Sequence, residues 1–236
     1  NCRLSKGGRS SGPFAFMRKS ASTILAVKSG GETRRAAHMG MMYDHHPDVV
    51  EFIEYKARDD YQGDLEGMNL SVAISDAFMQ SVADDLPWEL RGVVDKEVKR
   101  TIMASDMFER IAKSAHKCGC PGVWFIDRAN RDNGLIKIGR IESTNPCGEQ
   151  GLLPYQNCAL AHINVRKMVE APGTNKAFFS WTKFRETIRD VVRALDNMID
   201  VSGYPTPDYR DMALKTRPIG LGFMGFADAL IAMGIP

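Results

Sequence analysis

Asn145-Pro146-Cys147-Gly148-Glu149-Gln150-Gly151-Leu152-Leu153-Pro154-Tyr155-Gln156-Asn157-Cys158-Ala159-Leu160-Ala161-His162-Ile163-Asn164-Val165 is the stretch on which the reading of this chain turns. Its first half sets an amide, a thiol and a carboxylic acid at alternating positions beside Pro and Gly, so Asn145, Cys147 and Glu149 can project from one irregular loop into one small space. Cys supplies an oxidisable sulfur, Glu a proton acceptor, and Asn a neutral group that both donates and accepts hydrogen bonds. The second half turns apolar and β-branched, the pattern of a buried strand, and is preceded by a second thiol, Cys158. Plainer readings of the same residues are a Cys as a small buried hydrophobe, Asn-Pro as a turn and Glu beside Gly as a solvated acid.

Working outward, hydrophobic periodicity divides the chain into strands and helices. Pro13 opens a helix over Phe14 to Lys28, because the N–H it lacks would be unpaired in the first turn, and Ser29-Gly30-Gly31 closes it. Pro47-Asp48 begins a second helix through Val49, Phe52, Ile53 and Lys56. Met68 to Ile74 alternates as a strand, and Ser75-Asp76 caps a helix through Phe78, Met79 and Val82. Ala83 to Asp106 is polar and offers no site. Met107 to Lys117 is an amphipathic helix, followed by the turn Cys118-Gly119-Cys120-Pro121-Gly122 and the buried strand Val123-Trp124-Phe125-Ile126. Ser180-Trp181 starts a long helix that reaches about Asp200, with Phe184, Ile188, Val191, Leu195 and Ile199 on one face, and Pro205 and Pro207 break the pattern. Pro218 to Asp228 joins a short strand to a helix at Ala229 to Met233, and its glycines lack the spacing of a dinucleotide fingerprint. Strands alternating with helices predict an α/β fold with a largely parallel sheet.

At 236 residues the chain can bury a full core, in one large or two small domains. Hydrophobic residues at 44% and charged residues at 25% are ordinary for a globular protein and set disorder aside. A formal net charge of +2, with Lys and Arg scattered among acids, argues against a nucleic-acid or membrane surface. No apolar run is long enough to span a bilayer and Asn1 to Lys6 lacks the apolar core of a signal peptide, so a cytoplasmic protein is expected. Five cysteines argue against a secreted disulfide framework and leave thiols available for chemistry. No metal site is expected: His45 and His46 are adjacent and diverge, and Cys118 and Cys120 have only His116 close in sequence. The chain begins without Met and stops at Gly234-Ile235-Pro236, directly after a helical pattern, and reads as a fragment.

The central stretch resembles the signature of the catalytic chain of ribonucleotide reductases, and its Asn145-Pro146-Cys147-Gly148-Glu149-Gln150 wording resembles the adenosylcobalamin-dependent (class II) branch. Two other stretches agree in order. Gly7-Gly8-Arg9-Ser10-Ser11-Gly12-Pro13 is one, and Gly30-Gly31-Glu32-Thr33-Arg34-Arg35-Ala36-Ala37-His38-Met39-Gly40 resembles the family's specificity loop, between effector nucleotide and substrate base. There flexible glycines, Gly30 and Gly31, precede the guanidinium groups of Arg34 and Arg35, which suit phosphate and carbonyl recognition, while Ala36 and His38 depart from the Gly and Asn usual in that branch.

The resemblance implies that residues 1–236 are a single partial catalytic barrel domain, part of the ten-stranded α/β barrel of these reductases, lacking N- and C-terminal parts, with the Cys147 loop reaching its centre. It implies reduction of ribonucleotides to 2′-deoxyribonucleotides for DNA synthesis, with adenosylcobalamin as cofactor and a thiyl radical on Cys147. Glu149 would take the 3′-hydroxyl proton, Asn145 would hold the ribose hydroxyls, and Pro146 and Gly148 would complete the substrate-binding loop. Cys158 matches the downstream member of the reducing cysteine pair, and the upstream member, the first effector loop and the substrate phosphate loop are expected to lie outside this chain. That leaves diphosphate and triphosphate substrates both open. His162 stands where the family usually carries Ser and reads as a substitution either in the core or just behind the residues of the site. The implied partners are a ribonucleotide substrate, a deoxynucleotide or ATP effector, a thioredoxin-like reductant and a second copy of the chain as a homodimer, with no nucleic acid and no membrane.

Two other readings stand beside this one. A metal-radical (class I) catalytic chain uses the same three side chains with a second subunit in place of cobalamin. A nucleotide- or zinc-binding module without chemistry would hold zinc at Cys118 and Cys120.

Overall fold

The computed structural model describes residues 7–8, 10–27 and 36–236, and the chain divides into two compact units, Asn1–Pro154 and Tyr155–Pro236. Gly30, Gly31, Arg34 and Arg35 of the expected specificity loop lie outside the described residues, as do Cys2, Arg9 and the expected helix stop at Ser29.

In the first unit, α1 (Gly12–Ala26) carries Pro13 in its first turn and buries Ala21 and Ile24. It ends at Ala26, short of Lys28, because Val27 has already turned to an extended conformation. Then come β1 (His38–Tyr43), α2 (Val49–Glu54), β2 (Met68–Ile74) and α3 (Asp76–Ala83). The Ser75 hydroxyl accepts the Phe78 N–H at 3.1 Å and caps α3. Next are β3 (Pro87–Arg91), β4 (Val98–Met103), α4 (Ala104–Cys118), β5 (Gly122–Phe125), α5 (Ile126–Arg131), β6 (Ser143–Thr144) and β7 (Gly151–Leu152). Strands β1 and β5 flank β2, both parallel to it, with Met39 opposite Asn69 and Val72 opposite Val123. Every residue of β2 except Asn69 is buried, as befits the middle strand of a parallel sheet covered by helices. Phe52, Ile53, Leu65, Leu70, Ile74, Phe78, Leu90 and Met107 form the core, and burying such a side chain contributes about 1.5–3 kcal/mol.

Two features of this unit differ from the sequence expectation. Ala83 to Asp106 contains the antiparallel β3–β4 hairpin. Leu90 is its one buried residue, so neither strand carries a hydrophobic period; the hairpin is docked by Trp88, whose ring meets Phe78 edge-on at 5.3 Å and whose indole N–H donates to the Asp44 carbonyl at 3.1 Å. The strand after Pro121 is exposed at Val123 and Phe125, because β5 is an edge strand whose one partner among the described residues is β2.

The second unit contains β8 (Ala159–Asn164), β9 (Val169–Glu170), β10 (Phe178–Phe179), α6 (Trp181–Val201), α7 (Pro207–Thr216), β11 (Ile219–Met224) and α8 (Phe226–Met233). Strands β8 and β11 pair in parallel from Ala159–Ile219 to Asn164–Met224. Ser180 caps α6, which buries Leu195 and Ile199. Pro207 does more than break the preceding helix: it sits in the first turn of α7, where its missing N–H leaves nothing unpaired. Of β8, expected to be buried, only Ile163 is buried. His162 is exposed and lies across Gly222, where a Cβ would come within 2.9 Å of its ring; it is a surface residue over a glycine and not a core one.

Candidate active site

Strands β6 and β7 pair antiparallel, Ser143 opposite Leu152 and Thr144 opposite Gly151, and their hairpin presents residues 145–150 at its tip. The Asn145 N–H donates to the Gln150 carbonyl at 3.2 Å and closes the loop, and within it the Gly148 N–H donates to the Asn145 carbonyl at 3.0 Å. That inner turn holds Gly148 at φ +80°, a conformation that strains any residue with a side chain. The Asn145 side chain binds the rest of the loop: Oδ1 accepts the Gln150 N–H at 3.1 Å, and Nδ2 donates to Glu149 Oε1. From outside the loop, Asn69 of β2 donates Nδ2 to the Pro146 carbonyl at 2.5 Å.

The hairpin is held from below by a buried amide. Asn130 of α5 donates to the carbonyls of Ile126 and Ile141 at 3.0 and 2.9 Å and accepts the Ile141 N–H at 2.8 Å, which fixes the approach to β6. Gly151 lies so close to Trp124 and Ile141 that a Cβ there would meet each side chain at 3.1 Å. Neither Asn69 nor Asn130 stands out in the sequence, since an amide bonding across the chain leaves no periodic trace. The one cue for Asn69 is a lone amide in a strongly apolar strand.

The loop thus places Asn145, Cys147 and Glu149 together, with Asn145 and Glu149 in direct contact. Cys147 and Glu149 are exposed, and Asn145, Pro146 and Gly148 are half-buried. Within the first unit by itself, the Cys147 thiol is exposed at this tip. The tip projects past the last pair of the β6–β7 ladder.

Residues 3–236 match the family model described as ribonucleotide reductase, barrel domain. The chain belongs to this family. Within the reductases, the vitamin B12-dependent ribonucleoside-diphosphate reductase of Mycobacterium tuberculosis (strain CDC 1551 / Oshkosh) is 41% identical over 232 residues, covering 98% of this chain and 32% of its own length. The enzyme of the same name from Thermoplasma acidophilum is 38% identical over 229 residues, 97% of this chain and 29% of its own. The ribonucleoside-diphosphate reductase large subunit of Caenorhabditis elegans is 26% identical over 258 residues, 97% of this chain and 32% of its own. The chain therefore spans about a third of the length of the curated reductases it matches.

Other groups in this reductase domain take separate places. Cys158 immediately precedes β8 in the second unit, half-buried, and burial pushes its thiol above the usual value. His45 Nδ1 lies 3.1 Å from Asp44 Oδ1, whereas His46 Nδ1 accepts the Asp48 N–H at 3.1 Å, so the two rings serve different partners; burial also lowers the pKa of His46. Cys118 Sγ turns back to the Ser114 and Cys120 carbonyls, both at 3.3 Å. No group of three His, Cys, Asp or Glu side chains is placed to hold a metal ion among the described residues, and no helix among them is long and apolar enough to cross a membrane. The described residues that fit a cobalamin-dependent reaction are those of the loop: an exposed thiol able to give up its hydrogen, beside an acid and an amide.

Proposed function

We propose that this chain carries the radical-bearing thiol and the proton-handling groups of a cobalamin-dependent ribonucleotide reductase acting on ribonucleoside diphosphates. The observation that carries the reading is the hairpin tip, where Cys147 lies between Asn145 and Glu149 and those two are bonded to each other. The 41% identity to a vitamin B12-dependent diphosphate reductase, against 26% to a large subunit of the other kind of name, supports cobalamin over a metal-radical subunit and the diphosphate as substrate.

Replacing a ribose 2′-hydroxyl by hydrogen is slow because hydroxide leaves poorly and the neighbouring C–H bonds are unactivated. Cobalamin, when bound, supplies the initiating carbon radical. Cys147 gives up its S–H hydrogen and, as a thiyl, takes the 3′-hydrogen of the ribose. Glu149 accepts the 3′-hydroxyl proton, the protonated 2′-hydroxyl departs as water, and Asn145 orients both hydroxyls through its amide. A dithiol that includes Cys158 delivers two electrons and two protons and ends as a disulfide, and Cys147 returns its hydrogen to the 3′-carbon, so atoms and electrons balance. A thioredoxin-like dithiol then reopens the disulfide. Gly30, Gly31, Arg34 and Arg35 read the effector nucleotide and the substrate base, and the working form is a cytoplasmic homodimer.

The test uses the full-length protein containing this chain, without any second subunit, supplied with CDP and dithiothreitol. Formation of dCDP only when adenosylcobalamin is added supports the reading. Formation that needs a metal-radical subunit instead, or no dCDP under either condition, overturns it.

A further inference from the structure

We infer that Asn69 is a positioning residue for the Cys147 thiol, clamping the peptide plane on the N-terminal side of that cysteine to the middle strand of the parallel sheet. The inference rests on the reading of Cys147 as the reacting thiol.

Cys147 sits between two peptide planes. The one that follows is held inside the loop, where the Gly148 N–H donates to the Asn145 carbonyl at 3.0 Å. The one that precedes it is held from outside, where the Pro146 carbonyl accepts from Asn69 Nδ2 at 2.5 Å across 77 positions of sequence. Peptide planes are rigid and only φ and ψ rotate between them, so fixing both planes fixes the Cα–Cβ direction of Cys147 and with it the path of the sulfur. Without Asn69 one of the two planes is released.

The anchor is stiff where the loop is not. Strands β6 and β7 are only two residues each, and a short two-stranded hairpin has little stability of its own. Asn69 pairs with Met39 of β1 on a strand that also pairs with β5 from Ser71 onward, and it stands between Met68 and Leu70, which are 4% and 2% exposed. Its own side chain occupies the one exposed position of that strand. Packing asks for no amide there and Asn is disfavoured in strands, so its presence with the donor aimed at Pro146 is accounted for by the clamp.

Two variants of the full-length protein test this. Asn69→Ala removes the amide, and Asn69→Asp keeps its shape but has no N–H to donate. Both are expected to lower kcat about tenfold to a hundredfold, the scale of a misplacement of about 1 Å, while KM for the ribonucleotide stays within about twofold and the melting temperature is kept. Iodoacetamide is expected to label Cys147 several-fold faster than in the wild type, relative to the exposed Cys118 as internal reference, as the tip loosens. If Asn69→Ala does not fold, the isosteric Asp variant carries the test. Wild-type kcat in the Asp variant, a loss confined to KM, or an unchanged labelling ratio overturns the clamp. Should the wild type reduce no nucleotide, the functional reading fails and the labelling ratio alone decides whether Asn69 holds the thiol.

Discussion

Asn145 and Glu149 are joined side chain to side chain at the tip of the β6–β7 hairpin, the amide Nδ2 donating to the carboxylate. The same amide accepts the Gln150 N–H through Oδ1, so the acid is tethered to a group that the backbone itself holds. Replacing Glu149 by Gln keeps the shape and removes the base. Turnover by the full-length protein is expected to fall about 10²–10⁴-fold with the melting temperature unchanged, and a loss smaller than about tenfold would contradict the role given to this acid.

Cys158 provides a pH dependence with a definite sign. Burial raises its pKa, so the neutral thiol is the form the fold favours. The associated stability is complete below the thiol pKa of the unfolded chain and is lost as pH rises through the raised folded value. Iodoacetamide labelling of Cys158, followed by mass spectrometry from neutral pH to above about 8.5, should therefore show a midpoint higher than in the denatured protein. A midpoint at or below the denatured one would contradict this placement.

Arg217 ends α7 at φ +44°, a strained conformation for a residue with a side chain, and its guanidinium spans to α6. Nε donates to Asp196 at 2.8 Å, and Nη1 and Nη2 donate to Asp200 at 2.8 and 3.1 Å. Those bonds hold both carboxyls below the usual aspartate range. The stability they add is present above the unfolded aspartate pKa and disappears as pH falls through the lowered values. Arg217→Ala should lower the melting temperature at neutral pH, and the gap to wild type should narrow below about pH 4. A gap independent of pH would show that the ion pairs are not its source.

Gly225 and Gly234 flank α8 with nearly the same backbone, φ +71° and +69°, but different surroundings. A Cβ on Gly225 would come within 2.6 Å of Asn164 Oδ1, which accepts the Arg166 N–H at 3.1 Å, while one on Gly234 would meet nothing within 4 Å. Both alanine variants pay for the left-handed conformation, about 1 kcal/mol, and only Gly225→Ala also disturbs the turn after β8, for a total of about 2–3 kcal/mol. Urea denaturation that ranks the two equally would refute the steric argument.

The elements with strong periods are legible in the sequence. Leu70, Val72 and Ile74 mark β2, and Leu195 and Ile199, behind the Ser180 cap, mark α6. The β3–β4 hairpin is silent because it buries only Leu90, and α7 is hidden because Pro207 is easily read as a stop when it is also a start. At the candidate site, Asn-Pro and Gly148 announce the loop, and Asn145, Cys147 and Glu149 announce its chemistry. The bonds that hold it, from Asn69 and Asn130, depend on contacts between segments distant along the chain and are not encoded in any local pattern.

The central claim is that one thiol of this chain, Cys147, does the chemistry. The most direct measurement compares Cys147→Ser with Cys118→Ser in the full-length protein, following dCDP formed from CDP with adenosylcobalamin and dithiothreitol present. A serine O–H is too strong to give up its hydrogen in place of the S–H, so the account predicts no dCDP from Cys147→Ser and wild-type yield from Cys118→Ser. Nucleotide reduction that survives in Cys147→Ser would contradict it.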